Sequence, residues 1–454
     1  MVLTGRAALL ALLGAAAVGL LVAAGTAPGF ALLVTNLGVL LVAAVDALLA
    51  ATPRQLALAR SGDRKVRLGE VAHVQLAVTN TGTRRWRGLL RDAWAPTAHA
   101  TLDGRTDRAS LDLAAGVTVH LDVQVAPSRR GDRPTDRVTL RSLGPLGVAG
   151  RQRSMAADWS VRTLPPFASR RHLPSRLARL RDMDGRQAIA VRAQGTEFDS
   201  LREYVAGDDV RSIDWRATAR NADVMVRTWR PERDRQVVMV LDTGRTSAVR
   251  IGDETRLDIH IDACLLLAAL AGRAGDRVDL LGHDRRTRLQ VSGGSGPALL
   301  PRLVDAIADV EPELTETDYR GLVASVLSRV RKRALVVLFV ALDRPAMEEG
   351  LIPALATLTA RHTVVVASVQ EPTDSVADLA GGESGSRSPS GSGSRRPDAP
   401  GAYRAAAVAR AELDRAHVAN VLARLGVRVV SADPQRLAPA LADAYLDLKA
   451  AGRL

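Results

Sequence analysis

The chain has 454 residues, and 47% of them are apolar, which supplies hydrophobic cores for two or three domains and excludes a wholly disordered protein. The net charge of +13 at pH 7 comes from arginines spread along the chain, without zinc-finger spacing or a basic recognition helix, so nucleic-acid binding is not expected. Cys264 is the only cysteine. A single cysteine excludes an intrachain disulfide, and its apolar neighbours predict a buried side chain.

Two long apolar runs near the N-terminus predict two membrane-spanning helices. Residues 7–24 and 30–51 are each close to the length that a helix needs to cross a bilayer. The first run also fits a cleaved signal peptide, and that alternative stays open. The basic residues that flank the runs place the following domains in the cytoplasm; they are Arg6, Arg54, Arg60, Arg64 and Lys65. We therefore expect a two-pass protein of the cell membrane, with residues 1–54 as a transmembrane hairpin.

Asp46 lies inside the second apolar run. A carboxylate in such a run is either an intramembrane functional group or a residue near the membrane interface at the end of the helix. The second interpretation is the one we expect, because the run ends only a few residues later.

Residues 60–165 change to short segments in which apolar and polar residues alternate. This period of two predicts half-buried antiparallel strands, and turn residues separate them. The clearest predicted strands are Val71–Thr79, Trp86–Trp94, Val117–Val125 and Val138–Leu143. Together they predict a small antiparallel β-sandwich. The histidines of this region, at 73, 99 and 120, lack metal-ligand spacing, so no catalytic site is expected in it.

Residues 166–234 form a connector, and from residue 235 to residue 454 continuous apolar strands alternate with helical segments. This alternation predicts an α/β doubly wound domain. The predicted strands are Gln236–Leu241, Arg277–Leu281, Ala334–Leu342, Thr363–Val369 and Val427–Ser431. The predicted helices are Leu257–Ala274, one from Pro297, Tyr319–Arg331, Ala346–Thr359, Tyr403–Leu425 and Gln435–Leu448. The Gly- and Ser-rich residues 381–400 predict a disordered insertion.

Residues 195–220 are rich in aromatic side chains, although the whole chain has only 4 Phe, 4 Tyr and 5 Trp. Acids and arginines alternate in this segment, which predicts paired structural charges. Two interpretations stay open. In the first, Asp208 or Asp209 caps a short helix over 210–220 and Trp215 packs in the core. In the second, the aromatic and charged side chains form a docking face for a partner protein.

The same segment resembles the domain-of-unknown-function 58 family. The residues that carry the resemblance are Glu197, Phe198, Arg202, Glu203, Tyr204, Gly207, Asp208, Asp209, Asp214, Trp215, Arg216 and Arg220. The two apolar runs, the predicted sandwich and the Gly-Pro-Leu-Gly motif at 144–147 are similar to the N-terminal half of that family. We call residues 195–220 the signature segment, and we expect its residues to specify the fold or to bind a partner.

The resemblance implies that the α/β domain is similar to von Willebrand factor type A domains. Those domains hold a metal ion with an Asp-x-Ser-x-Ser loop, a distant threonine and a second aspartate. The positions that correspond in this sequence are Asp242, Gly244, Thr246, Thr317 and Asp343. Because Gly244 has no hydroxyl, the resemblance implies a degenerate metal site. Two interpretations stay open: the site binds Mg²⁺, or Asp242 caps the following turn.

Two functions from different classes remain. The first is a membrane-anchored, non-enzymatic interaction or assembly factor, for which the resemblance implies a MoxR-type AAA+ ATPase as partner on envelope-associated complexes. The sequence has no Walker loop, so that partner would supply the ATP chemistry. The alternative is a metal-dependent hydrolase that uses the carboxylates of Asp242, Asp343 and Asp208 or Asp209. No His, Cys or Ser stands as a nucleophile beside a base, which favours the interaction factor.

Overall fold

The computed structural model describes residues 2–104, 106–190, 197–206, 208–220, 223–230, 235–370 and 399–454. At 184–190, 197–200, 228–230, 399–402, 404 and 405 it describes the backbone alone. The chain divides into unit 1, Met1–Pro166, and unit 2, Phe167–Leu454. Residues 381–398 of the predicted insertion lie outside the described residues, so its predicted disorder stays a prediction.

Two apolar helices, Gly5–Ala23 (α1) and Pro28–Leu49 (α2), form near the start of unit 1. They pack against each other where Gly14 leaves room, because a Cβ at that position would lie 3.1 Å from Thr35 and 3.2 Å from Val39. Both helices are long and apolar enough to cross a membrane. The prediction of two apolar helices is confirmed, whereas the two-pass topology and its orientation stay predictions.

Strands β1 to β11 belong to unit 1. Their bounds are Val2–Leu3 (β1), Leu56–Gly62 (β2), Lys65–Arg67 (β3), Ala72–Asn80 (β4), Trp86–Trp94 (β5), Ala100–Leu102 (β6), Arg108–Leu113 (β7), Thr118–Val125 (β8), Gly131–Leu143 (β9), Ala149–Ala156 (β10) and Ser160–Leu164 (β11). One sheet has the strand order β2-β4-β8-β6. The other has the order β1-β10-β9-β11-β3, and β5 joins it through β9 and carries β7.

The two sheets of unit 1 share one hydrophobic core. Leu76 of β4 and Val123 of β8 meet Trp86 of β5 and Leu140 of β9 in it, which makes a two-layer sandwich. The expectation of a purely antiparallel sandwich is wrong, because β11 and β3 pair in parallel. These two strands are far apart in the sequence, and local alternation contains no information about the direction of such a pair.

Asp46 lies in the last turn of α2 and is fully buried. Its carboxylate accepts hydrogen bonds from the backbone N–H groups of Leu146, at 2.8 Å, Val148, at 2.8 Å, and Ala149, at 2.9 Å. The loop approaches so closely that a Cβ at Gly144 would overlap the carboxylate. The predicted place of Asp46 at the helix end is confirmed, and its contacts fasten α2 to the loop between β9 and β10.

Unit 2 contains the remaining strands and helices. The strands are Glu197–Glu203 (β12), Met225–Arg230 (β13), Gln236–Asp242 (β14), Arg250–Ile251 (β15), Glu254–Thr255 (β16), Arg277–His283 (β17), Thr287–Gly294 (β18), Leu335–Phe339 (β19), Thr363–Val369 (β20) and Arg428–Ala432 (β21). The helices are Leu173–Ala190 (α3), Trp215–Thr218 (α4), Arg256–Arg273 (α5), Leu299–Ile307 (α6), Tyr319–Arg329 (α7), Arg344–Ala346 (α8), Ile352–Thr359 (α9), Ala399–Arg424 (α10) and Pro434–Ala450 (α11). A π-helical turn, Met347–Leu351, joins α8 to α9.

The main sheet of unit 2 has the strand order β18-β17-β14-β19-β20-β21. Val238 and Val240 of β14 face a core that α7, α9 and α10 complete. Met239 points to the other face, where α5 packs and the buried Cys264 Sγ lies 3.6 Å from its Sδ. The predicted α/β alternation and the buried cysteine are confirmed. The sheet is mixed, because β18, which was not predicted, pairs antiparallel with β17.

Candidate functional site

The carboxyl ends of the parallel strands meet at one edge of the main sheet, and ligands of open α/β sheets bind at such an edge. Asp242 is the last residue of β14, and Asp343 follows β19 at the same edge. Asp242 is fully buried, whereas Asp343 is exposed. The loop after β14 supplies Thr246, and the segment before α7 supplies Thr317. The structure therefore gathers the predicted site residues at one edge but leaves them in very different environments.

Four donors surround the carboxylate of Asp242. Its Oδ1 accepts from the backbone N–H of Gly244 at 2.8 Å and from Thr317 Oγ1 at 2.5 Å. Its Oδ2 accepts from Thr246 Oγ1 and from the Tyr319 hydroxyl, each at 3.1 Å. Both oxygens are thus bonded within the chain, and the carboxylate ties the loop after β14 to the start of α7.

The electrostatics of this cluster follow from its burial. Burial raises the pKa of Asp242, and the four hydrogen bonds oppose that rise. Burial beside this carboxylate also raises the pKa of Tyr319 well above its usual value, so the phenol keeps its proton and acts as a donor. Tyr319 was not predicted as a site residue. The sequence feature that could have indicated it is its position, because it is one of only 4 tyrosines and lies two residues after Thr317.

Gly244 makes the contact between Asp242 and Thr317 possible. Its φ of −81° and ψ of −171° are open to any residue, so the backbone does not require glycine here. The requirement is spatial, because a Cβ at this position would overlap Thr317 Oγ1. The hydroxyl of Thr317 therefore occupies the space that a serine side chain at 244 would need.

The donor set does not fit a divalent cation in this arrangement. Asp242 has both oxygens bonded to protein donors, and Gly244 offers no side-chain oxygen. Among the described residues, no group of three His, Cys, Asp or Glu side chains is placed to hold a metal ion. The alternative prediction, in which Asp242 caps the following turn, matches the hydrogen bond from Gly244 N–H.

Two adjoining cavities of about 490 and 210 Å³ lie at this edge, and Arg245, Thr246 and Asp343 line both. Ion pairs hold two of the arginines that line these cavities: Arg245 lies 3.2 Å from Glu316, and Arg344 lies 3.1 Å from Asp414. Within the described part of the chain, neither cavity is lined by a histidine or a cysteine.

The signature segment supplies β12 and two short helical turns, and β13, which follows it, pairs with β12 to complete a hairpin. The single helix over 210–220 that one interpretation required is wrong. The chain instead forms a 3₁₀ turn, Val210–Ser212, capped by Asp209, and then the separate helix α4, capped by Asp214. The carboxylate of Asp214 accepts two backbone N–H groups of α4 at 3.0 Å each.

Ion pairs fix two acids of this segment, as the alternating charges predicted. Asp208 lies 2.6 Å from Arg202, and Asp214 lies 2.8 Å from Arg227. The hydrogen bond from Arg202 holds the pKa of Asp208 below its usual value, and the hydrogen bond from Arg227 does the same for Asp214. Both carboxylates therefore keep their negative charge as partners of the arginines.

Large apolar side chains of the signature segment are exposed to solvent. Trp215 is 69% exposed, Val210 63% and Val205 62%, and Tyr204 is partly exposed. The expectation that Trp215 packs in a core is wrong, because α4 is a single turn and its first side chain points outward. Val226 of β13 is buried in this hairpin instead. We call Tyr204, Val205, Val210 and Trp215 the apolar face of the signature segment.

The other residues of the predicted signature are placed as follows. Glu203, Arg216 and Arg220 are exposed. Glu197 and Phe198 lie in the first part of β12, and at these two positions the backbone alone is described. Phe198 pairs with Trp229 across the hairpin. Gly207 lies outside the described residues.

Residues 200–382 match the family model described as "Protein of unknown function DUF58". The resemblance on which the signature segment was identified is therefore confirmed over that part of the chain. No curated protein matches the chain.

Several solved structures share a weak likeness with this chain. A native α-2-macroglobulin fragment from Escherichia coli is 20% identical over 25% of this chain, with a TM-score of 0.19, and the match covers 17% of that fragment. A CARDB domain from Pyrococcus furiosus, solved with di-metal ions, is 14% identical over 24% of this chain and 91% of its own length, with a TM-score of 0.17. A β-glucosidase from Listeria innocua is 12% identical over 24% of this chain and 16% of its own length, with a TM-score of 0.16.

Proposed function

We propose that this protein is a membrane-anchored interaction and assembly factor that works with a MoxR-type AAA+ ATPase on envelope-associated complexes. The observation that carries the proposal is the apolar face of the signature segment, where a tryptophan stays 69% exposed on a backbone that ion pairs hold in place. The family resemblance supports the choice of partner, and the DUF58 match over residues 200–382 supports that resemblance.

An exposed tryptophan on a fixed scaffold suits protein recognition. Aromatic side chains supply a large part of the binding energy at protein interfaces, and little conformational entropy is lost when they are already held in place. Asp214 fixes the position of Trp215, because it caps α4 and binds Arg227 of β13 at the same time. Val205 and Val210 of the same segment expose further apolar side chains to solvent.

In this proposal α1 and α2 are the membrane anchor, and the sandwich of unit 1 and the whole of unit 2 act in the cytoplasm. The length and composition of the two helices support the anchor, and the basic residues at their flanks support the orientation. The domain around the main sheet is the von Willebrand type A-like binding module. Its Asp242 cluster stabilises the loop edge without a metal ion, because the donors to both carboxylate oxygens come from the chain itself.

The proposal is tested by recovering the partner from membranes. The tagged full-length protein is purified from native membranes under nucleotide-trapping conditions, beside Trp215→Ala and the control Leu314→Ala. Leu314 is 79% exposed and lies outside the signature segment, so the control removes a comparably exposed apolar side chain. We expect the wild type and the control to recover an AAA+ ATPase, and Trp215→Ala to recover at least about tenfold less. The proposal would be contradicted if the wild type recovered no AAA+ ATPase, or if Trp215→Ala recovered as much of it as the wild type does.

The metal-dependent hydrolase is tested separately by calorimetry with Mg²⁺ and Mn²⁺, comparing the wild type with Asp242→Asn. We expect no metal-dependent heat for either protein, because the Asp242 oxygens are already bonded to donors of the chain. Binding by the wild type that Asp242→Asn abolishes would favour the hydrolase or an adhesion-type metal site instead.

A further inference from the structure

A wide basic groove of about 1080 Å³ lies in unit 1 beside the ends of the two apolar helices. Its lining contains the arginines 6, 84, 85, 87 and 141, and among the described residues no carboxylate lines it. Arg6 lies in the first turn of α1, and Leu49 is the last residue of α2, so the groove is at the same end of both helices.

The charge of the groove is only partly compensated. Arg85 and Arg87 share one carboxylate, that of Asp112, at 2.6 and 3.1 Å. Arg141 binds the neutral side chain of Gln152 at 3.0 Å. The arginines of the groove thus outnumber the carboxylate that binds them, which leaves a strong positive potential along it.

Backbone carbonyl groups hold two of these arginines at the helix ends. Arg84 donates to the carbonyl oxygen of Leu49 at 3.3 Å, and Arg6 donates to that of Leu146 at 3.1 Å. A hydrogen bond to a carbonyl oxygen leaves the guanidinium charge uncancelled. Both groups are therefore cationic at the level where α1 begins and α2 ends.

Exposed leucines stand beside this charge. Leu3 is 61% exposed, Leu9 62% and Leu49 48%, and all three line the groove. The groove thus combines guanidinium groups, which bind phosphate oxygens in a bidentate manner, with an apolar wall that continues along the helices. A free phosphate ion would use the arginines and leave the leucines exposed to water, whereas a phospholipid covers both.

We propose that this groove binds the head group of an anionic phospholipid, with its acyl chains along the exposed leucines. The inference rests on the membrane anchorage that forms part of the proposed function. The lipid neutralises the arginines at the helix ends and holds unit 1 against the membrane surface. Neither the signature segment nor the Asp242 cluster takes part in this binding.

The full-length protein tests the inference in nanodiscs that contain phosphatidylglycerol and phosphatidylcholine. Lipid that stays with the protein after release is measured by native mass spectrometry. The test variant is Arg84→Gln/Arg85→Gln/Arg87→Gln, and the control is Arg129→Gln/Arg137→Gln/Arg153→Gln, which removes the same charge from exposed sites of unit 1 outside the groove lining. Circular dichroism checks that both variants fold.

We expect the wild type and the control to retain phosphatidylglycerol over phosphatidylcholine, and the test variant to lose this preference by at least about tenfold. An equal preference in the test variant would overturn the inference, and so would displacement of the lipid by soluble glycerol phosphate at a matched concentration. Carbonate extraction of native membranes that contain the wild-type chain separates the two proposals. A wild-type chain that resists extraction but shows no lipid preference overturns the groove alone, whereas a chain that is extracted overturns the anchorage and the groove together.

Discussion

Thr317 Oγ1 lies 2.5 Å from Oδ1 of the buried Asp242, in space that the absent side chain of Gly244 leaves free. The loop after β14 and the start of α7 are joined through this contact. The resemblance implies a hydroxyl-bearing side chain at position 244. Thr317 Oγ1 occupies the space that such a side chain would need.

Gly244→Ser should destabilise the protein by about 1–3 kcal/mol, because the new Cβ displaces Thr317 and leaves a buried carboxylate oxygen without one donor. Thr317→Ala should cost a similar amount. The double variant should lose less than the sum of the two, since the serine hydroxyl can use the vacated space. The rescue should be partial, because the Cβ would still lie 3.0 Å from the carbonyl oxygen of Thr315. Urea denaturation of the full-length protein measures all three, and strict additivity would contradict this account.

A buried ion pair should make Lys449 indispensable to unit 2. Its Nζ lies 2.8 Å from Asp276 Oδ1, and the Tyr445 hydroxyl donates to the same carboxylate at 2.5 Å. Lys449→Met should cost roughly 3–5 kcal/mol, because it leaves a buried carboxylate without its counter-charge. The double variant Lys449→Met/Asp276→Asn should regain most of the free energy of unfolding that Lys449→Met loses. Arg436→Met on the same helix is the control, since its side chain is 83% exposed and its loss should cost under about 0.5 kcal/mol. Equal effects of the two single variants in urea denaturation would refute the prediction.

His260 should make the stability of the protein fall in acid. It is fully buried in α5 beside Phe339, and burial lowers its pKa to about 3. Between pH 6.5 and pH 3 the unfolded chain takes up a proton at this residue that the folded chain refuses, so stability is lost as the pH falls through this window. The loss should approach about 1.4 kcal/mol for each pH unit below 6.

His260→Leu should remove this part of the acid dependence. Stability at pH 7 should hardly change, because neither ring nitrogen has a hydrogen-bond partner among the described residues. His417→Leu, at an exposed position of α10, serves as the control and should keep the acid dependence. Unfolding curves from pH 7 to pH 4 decide the matter. An unchanged slope in His260→Leu would show that other groups cause the acid sensitivity.

Asp214→Ala should loosen the signature segment. The change removes the cap of α4, worth about 0.5–2 kcal/mol, and the partner of Arg227. Hydrogen exchange at the amides of Arg216 and Ala217 should speed up roughly fivefold or more. Recovery of the ATPase should fall as well, although Trp215 is still present. Asp223→Ala, at an exposed position of the same hairpin, should change neither quantity. Normal ATPase recovery by a loosened Asp214→Ala would show that docking does not need the fixed geometry.

The elements that a local pattern defines were predicted well. Two uninterrupted apolar runs gave α1 and α2, and apolar runs ending in an aspartate gave β14 at its observed edge. The predicted α5 and β20 differ from the observed bounds by no more than one residue, because their periodicity is strong. The direction of the β11–β3 pair was not predictable, since strand pairing over a long distance leaves no local pattern. The antiparallel edge strand β18 was missed although it follows β17 in a short hairpin.

The sequence predicted most of the residues that form the candidate sites, but only part of how their side chains are arranged. The sequence placed Asp242, Thr246 and Thr317 together by resemblance, but the hydroxyl of Tyr319 and the overlap at Gly244 depend on tertiary packing. The ion pairs of the signature segment followed from its alternating charges. The outward direction of Trp215 did not, because it depends on the chain breaking into two short turns instead of one helix.

Photo-crosslinking from position 215 in native membranes tests the central claim most directly. A photoreactive amino acid replaces Trp215 in one sample and Leu314 in a matched sample, and labelled proteins are identified by mass spectrometry. We predict that the probe at 215 labels an AAA+ ATPase and that the probe at 314 does not. Labelling from 215 that stays within the chain itself, or that matches the labelling from 314, would contradict a docking role for the signature segment.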